Sequence, residues 1–499
     1  MALPANNTPW PPPSNHATKV AEWSAWYSGD PDQLATFYGS QAPVSNRPSQ
    51  YAGGVVGRVA RWWWGVPVAE GEQRTKLHVP LAADICGTSA DLLFSESVKL
   101  TTESKTLAAM FADLQEQGLD ARLHEGAEVA AGLGGVYLRS VWDTEVSPLP
   151  WTEVAHPDGA IPEWRGGRLH AVSLWTELPT HVTGTVHRLV ERHAPGYIEY
   201  RLYAGTGSNL GRVVPLPEHP DAAYLALVVN DEGVQLTGIG RLTVRHVPNM
   251  LPDRQDRRSI HGRSDLQGVE PFLDALDEAY SSWWRDIRQA KGRLHVPAQY
   301  LDTAGPGTAA SVDLDREVYV PVQGVLGTGK DGLLIQAQQF DIRWAEHKET
   351  CEAWTTKIIE SAGYSTQSLS SGTGGAVTAA EVHSHERRSY MTRGKKVRYW
   401  TPELRQHLQT QVELANAHMG AGIKLEDFKV EFSDGVQESA MSLAQTALAM
   451  RNAEAASIET RVSLVNPDWD QTAVDAEVGK ILAETGQGEP LPVPDDAGL

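Results

Sequence analysis

Cysteine is nearly missing from this chain: two thiols, Cys86 and Cys351, stand in 499 residues. So few, so far apart, exclude a disulfide framework and fit a reducing compartment. Long apolar runs are missing as well. No stretch approaches the ~20 residues that a membrane-spanning helix needs. The opening MALPANNTPWPPPSNH has neither the basic nor the apolar segment that directs secretion, and reads as a disordered proline-rich arm over 1–17. Basic charge is in short supply. Against 63 Asp and Glu stand 43 Lys and Arg, for a formal net charge of −20. Proteins that grip nucleic acid neutralise its phosphates and are usually basic, so the chain as a whole is not built to hold DNA.

Catalytic signatures are missing in turn. There is no G-x-S-x-G elbow and no H-E-x-x-H, and neither cysteine has a nucleophile's sequence context. His383 and His385 lie two apart, which puts them on different faces of a helix, and no metal site is expected. The nearest approach to a cofactor motif is GVLGTGKDG at 324–332, with Gly324, Gly329 and Lys330 spaced as in a P-loop. Asp331 stands where a hydroxyl should hold Mg²⁺, and no helix opens after it. The strand-like EVYVPVQ (317–323) and GLLIQAQQF (332–340) on either side read as a β-hairpin. GTGSNLG at 205–211 also follows a strand-like run and leads into another, RVVPL, so it too lacks the βα context of a phosphate loop. No cofactor, metal or catalytic residue is assigned.

What the chain does have is tryptophan, sixteen of them, clustered at Trp23 and Trp26, Trp62 to Trp64, and Trp283 and Trp284. Core packing, a subunit interface and sugar stacking all use such residues, and no carboxylate pair supports the last. Residues 18–42 read as two helices. Pro80 to Phe94 and the run from Ser104 to Gly118 read as two more. From 134 to 247 short alternating runs predict antiparallel strands: GVYLRSVWD, RLHAVSLWTEL, TVHRLVER, YIEYRLYA, AYLALVVN and LTVRHV. After 264 apolar residues recur at heptad spacing: Leu266, Val269, Leu273, Leu276, Tyr280, Trp283, Ile287, Ala290 and Leu294. Gly268 and Pro271 make the first turn irregular, with Ser264 as its cap. A second seam runs through Phe340, Trp344, His347, Cys351, Trp354 and Ile358 to a stop at Gly363. The two are either a long antiparallel pair with a β module at its tip or two ordinary core helices. A glycine- and serine-rich loop follows, then a long helix capped by Thr378 and Glu381. That helix holds the chain's one basic concentration: Arg387, Arg388, Arg393, Lys395, Lys396 and Arg398. A solvated face is the default for such a run, and contact with a polyanion or an acidic neighbouring subunit is the alternative. The alanine-rich run 438–459 continues as helix until Asn466-Pro467, and GQGEPLPVPDDAGL forms an acidic tail, 486–499.

Five stretches in this order carry a resemblance: WSAWYSGDPDQLATFYG (23–39), ADLLFSESVKL (90–100), GRSDLQGVEPFLDALDEAYSSWWRDIRQAKGRLHVP (262–297), TAAEVHSHERRSYMTRGKKVRYW (378–400) and SIETRVSLVNPDWD (457–470). Over about residues 18–485 the sequence resembles the portal, or head-tail connector, proteins of tailed double-stranded DNA phages. The resemblance implies an α+β fold assembled as a ring, typically of twelve. Its parts would be an α/β wing (18–262, with a return in 378–435), a stem of two helices (264–292 and 339–362) and a small β-containing clip (293–338). A channel-facing tunnel loop (364–377) and a helical crown (436–485) complete it. It implies channel-loop roles for Ser365, Ser368, Ser370, Ser371 and Thr373. Stem packing would fall to Leu273, Leu276, Tyr280, Trp283, Ile287, Trp344, Trp354 and Ile358. DNA or subunit contact would fall to the six basic residues of the long helix. The loop has no lysine between 364 and 377, which shifts any cationic contact to that helix. The implied partners are other copies of the chain, the terminase large subunit, a head-tail adaptor, the major capsid and scaffolding proteins, and the DNA that is packaged and ejected. The resemblance also implies a place at a capsid vertex of the virion, after assembly in the host cytoplasm, with no membrane and no enzymatic activity. An acidic wall suits such a channel, because it repels the polyanion that must slide through it. Two readings compete: another head-tail structural protein, such as an adaptor or minor capsid component, and an enzyme, either an ATPase or a tryptophan-rich glycan hydrolase.

Overall fold

The computed structural model describes residues 3–38, 77–179, 184–289, 293–297, 319–322, 336–338, 342–369, 379–432, 440–466, 469 and 471–485. The chain divides into two compact units, 1–371 with 388–432, and 372–387 with 433–499.

The first unit is built around helices. In α1 (Asn15–Ser28), Ser14 accepts a hydrogen bond from Ala17 N–H at the start, and Gly29 ends the helix at φ +65°. Its inner face buries Val20, Trp23 and Trp26, so this tryptophan pair is core. After α2 (Pro31–Tyr38) and α3 (Leu81–Phe94) come β1 (Lys99–Thr102), α4 (Lys105–Glu116) and α5 (Leu119–Leu133). The sequence reading passes over α5, yet it lies at the centre of the core. Its inward residues include glycine and alanine, which let large side chains approach. A Cβ on Gly126 would sit 3.4 Å from the Trp400 ring, and one on Gly132 would sit 3.4 Å from Tyr27.

The strand region then forms as predicted, in two antiparallel sheets. β2 (Gly135–Val141) lies between β3 (Trp151–Ala155) and β10 (Val244–Pro248). The larger sheet is a meander of β4 (Ala160–Arg165), β5 (Arg168–Glu177), β6 (Val186–Ala194), β7 (Tyr197–Thr206) and β8 (Asn209–Val214), with β9 (Val234–Leu236) also paired to β7. AYLALVVN is not a strand. Pro220 sets a helical φ, the His219 ring accepts from Asp221 N–H, and the chain makes a helical turn followed by a 3₁₀ turn at Tyr224–Leu227. GTGSNLG is the β7–β8 turn. The buried Arg188 guanidinium donates to the carbonyls of Thr206, Gly207 and Asn209, so the loop offers oxygens to a cation rather than N–H groups to a phosphate.

The first residues differ from the expected disordered arm. Trp10 is 3% exposed, packed edge-on against Trp175 beside Val190, Tyr203 and Leu210. Asn7 and Trp10 donate backbone hydrogen bonds to Gly211 and Ser208, Leu210 donates to Thr8, and the Tyr203 hydroxyl donates to the Pro4 carbonyl. One buried indole and an otherwise open sheet edge hold a proline-rich segment in place.

α6 (Glu270–Gln289) is shorter than the heptad seam. The turn 265–269, with Gly268 at φ +89°, precedes it, and Leu294 already belongs to β11 (Arg293–Pro297). The strands flanking GVLGTGKDG are not a hairpin. β12 (Tyr319–Val322) and β13 (Gln336–Gln338) lie on opposite sides of β11, parallel and antiparallel to it. β11 takes the central place that the hairpin reading left empty, and residues 324–332 themselves lie outside the described residues. α7 (Trp344–Ala362) follows and ends at Gly363, φ +104°. α8 (Ala379–His418) buries Trp400, Leu404, Leu408 and Val412 in the core, and β14 (Phe428–Glu431) returns to pair with β1.

The second unit contains α9 (Ala440–Asn452), α10 (Ile458–Val465) and α11 (Gln471–Thr485). The alanine-rich run is therefore two helices. The chain turns at Glu454, φ +49°, and Ser457 caps α10 by accepting from Thr460 N–H. Among its described residues only Val462 and Val474 are buried apolar side chains.

Candidate functional site

α6 and α7 pair in antiparallel fashion. Phe272 meets Trp354 near one end, with ring centroids 5.5 Å apart, and Trp283 stacks on His347 near the other at 6.2 Å and 3°. Beyond that stack, Asp286 receives Arg343 at 3.2 Å and lies 2.8 Å from His347 Nε2. His347 and Arg343 hold the Asp286 carboxyl below its ordinary range. The expected packing residues divide into three groups. Leu273, Leu276 and Ile358 are fully buried. Tyr280, Trp283 and Trp354 are half-buried against the core. Ile287 and Trp344 face outward, 40% and 61% exposed, and with Trp284 (50%) and Ile342 (37%) they leave a cluster of large apolar side chains on the distal half of the pair. Beside it, Glu346, Glu349, Ala353, Trp354 and Lys357 line a groove of about 480 Å³ on α7.

The base of the pair is fixed by buried carboxylates. Asp265 accepts from Lys396 Nζ at 2.5 Å, the Tyr364 hydroxyl at 2.6 Å and Asn249 Nδ2 at 2.9 Å, and Lys396 also donates to Ser89 at 2.5 Å. Both members of this ion pair are essentially inaccessible to solvent. Burial lowers the Lys396 pKa and the Asp265 charge opposes that shift, while burial raises Tyr364. Asp253 takes Lys19 at 3.0 Å and Gln267 at 2.6 Å. Glu270 takes Trp23 Nε1 at 3.0 Å and Gly268 N–H at 2.6 Å, and burial raises its pKa. Asp277 takes Val79 N–H at 2.9 Å and lies 3.0 Å from His78 Nδ1. These four acids tie α1, α3, α8 and the 77–79 segment to the start of α6. Sequence reading missed them, because Glu270 and Asp277 resemble the solvated polar face of a heptad, Asp253 and Asp265 stand before the seam begins, and a partner lies as far as 247 positions away.

The six basic residues of α8 do not act as one face. Lys396 is in the buried ion pair, and Arg393 is buried with its Nε on the Leu92 carbonyl. Arg387, Arg388, Lys395 and Arg398 are exposed. A second basic group went unread: Arg254, Arg257 and Arg258 are exposed on one turn and interleaved with Asp253 and Asp256, which mask them in a count of charge. Of the expected channel-loop residues, Ser365 and Ser368 are tied to α8. Ser365 N–H donates to the Ser389 hydroxyl, and Ser368 Oγ lies 2.9 Å from it. Ser370, Ser371 and Thr373 lie outside the described residues, as do Trp62 to Trp64. Cys86 and Cys351 are separate buried thiols. Among the described residues no cluster of His, Cys, Asp and Glu could hold a metal, and no helix is long and apolar enough to cross a membrane.

The first unit thus carries exposed aromatics on a helix pair whose base is locked into the core. The family described as "Phage portal protein, SPP1 Gp6-like" matches residues 217–490, more than half of the chain and including the whole pair. The chain belongs to that family, which is structural and not enzymatic, and its role is that of a portal or connector component of a phage-type particle. Two solved structures are similar. The neck of an empty GTA particle computed with C6 symmetry shares 15% identity, covers 77% of this chain and 90% of that one, and gives a TM-score of 0.41. The neck of a native GTA particle computed with C12 symmetry shares 14%, covers 83% and 99%, and gives 0.35. Both likenesses are loose, and the family match carries the assignment. No curated protein matches the chain.

Proposed function

We propose that the chain is the portal proper. About twelve copies close into a ring at one capsid vertex, and double-stranded DNA enters and leaves through its axis. The observation that carries this reading is the family match over 217–490. Two features support it. Trp284, Ile287, Ile342 and Trp344 form an apolar surface that the protomer leaves uncovered, and a neighbour's helix pair would bury it in a heterologous, closing contact. The charge of −20 per chain gives a ring whose wall repels DNA and leaves it free to slide. In this reading residues 293–338 form the clip on which terminase and later the head-tail adaptor dock, residues 364–377 face the channel, and the scaffolding and major capsid proteins meet the wing.

Single-particle electron microscopy with native mass measurement tests it. Twelve chains of 54.4 kDa give a ring of about 650 kDa around an axial hole. A compact monomer or dimer at high concentration, with no channel, would return the chain to the adaptor or minor capsid reading.

A further inference from the structure

The second unit leaves its centre open. α9, α10 and α11 enclose a groove of about 690 Å³ with Leu448, Ile458, Val465 and Ile481 along it and Arg451 and Arg461 at its rim. Leu448 is 55% exposed, and only two apolar side chains of the unit are buried among those described. Three short helices with so little core need something else against their apolar faces. The rim charges are Arg451, Arg461, Glu454 and Glu477. Glu477 is paired with Lys480 at 3.0 Å, and Arg451 has no ion pair among the described residues. The rim is therefore left with a cationic excess.

The same unit ends in a segment whose chemistry matches. Beyond Thr485 the chain reads GQGEPLPVPDDAGL, with Glu489, Asp495 and Asp496 and no basic residue, and with Leu491 and Val493 set between Pro490, Pro492 and Pro494. Ile481, which lines the groove, is one helical turn before the end of α11. Leu491 is six residues beyond Thr485, a reach of up to about 20 Å at ~3.4 Å per residue. Alternating prolines restrict the backbone, so ordering such a segment costs little entropy. We propose that residues 489–496 lie in the groove of their own copy, with Leu491 and Val493 against its apolar wall and Asp495 and Asp496 at Arg451 and Arg461. The tail is then a missing piece of this unit's core.

Hydrogen exchange tests this on the full chain and on a chain ended at Gly488, compared in the same assembly state. Removal of the tail should speed exchange of the amides of α9–α11 about tenfold, and a synthetic 487–499 peptide should restore the slow rate. Arg451→Glu with Arg461→Glu should loosen the unit in the same way, and Asp495→Lys with Asp496→Lys in that background should tighten it again. Unchanged exchange after truncation would overturn the proposal. So would protection that the truncated chain keeps and that rises with protein concentration, which would mark a second copy as the occupant. The readout belongs to the protomer, so failure to form a ring leaves it unaffected.

Discussion

A single lysine shows how far a charge pattern can mislead. Lys396 lies in the most basic stretch of the chain, and composition assigns it to solvent or to a polyanion. Its Nζ is instead sealed against Asp265 and Ser89. Helical geometry puts Lys396 on one face with Trp400 and with Ser389, four and seven positions away, and the structure buries both. Without knowing which face turned inward, the sequence had no way to separate Lys396 from Lys395. Lys396→Met should cost about 3–5 kcal/mol, because it leaves Asp265 charged and buried without its partner. Arg387→Met should stay within about 0.5 kcal/mol. Urea denaturation of both variants checks the pair, and equal, small effects would restore the solvated-face reading. Histidines make a second residue-scale prediction. His246 and His407 are buried and held at a pKa of about 3 chiefly by burial, with His261 and Arg245 respectively adding to the shift. Their folded pKa is depressed below the ordinary 6.5, so between about pH 6.5 and 3 the unfolded chain binds the extra protons. Stability therefore falls as pH drops through that window, by up to about 1.4 kcal/mol per pH unit for each histidine. His407→Gln should flatten the pH dependence of the denaturation midpoint by about one proton. An unchanged slope would show that His407 is not held neutral.

Elements were more legible than residues, wherever one period dominated. β5, β6 and β7 of the meander and both seamed helices follow their hydrophobic spacing, while β4, with Pro162 inside it, went unread. α5 did not, because its glycines and alanines bury without a strong apolar stripe. The three-stranded 293–338 sheet did not, because adjacency in sequence suggested a hairpin while β11 supplied the shared partner. The seam of α6 was read as one continuous surface, but it changes role along its length. Leu276 is core, and Trp284, one residue off the seam, is outside. Leu276→Ala should destabilise the protomer by about 2–5 kcal/mol through the cavity it leaves. Trp284→Ser with Trp344→Ser should change protomer stability by less than about 1 kcal/mol and yet weaken self-association. Sedimentation beside thermal denaturation separates the two. If the tryptophan variant lost stability as the leucine variant does, these indoles would be part of the protomer core.

For the whole molecule, the order of elements said more than any motif. The near-P-loop, the tryptophan count and the basic helix each pointed elsewhere when taken singly, and the resemblance carried by five stretches in order, from 23–39 to 457–470, pointed to a portal before any contact was known. Charge is the whole-molecule property that remains to be tested. If the chain is the portal proposed above, its wall must contact few phosphates at once, and the exposed Arg387, Arg388, Lys395 and Arg398 of α8 and Arg254, Arg257 and Arg258 of the 254–258 turn are the proposed contacts. Binding of a short duplex to the assembled protein should therefore be weak and should depend on salt with a log–log slope of about −2 to −4, at ~0.9 per phosphate neutralised. Replacing the four exposed cations of α8 by glutamine should flatten that slope and leave assembly intact. A slope near −10 would mean that many copies grip the duplex together, and a chain that grips in that way would be a clamp for DNA, with its negative charge turned to some other partner.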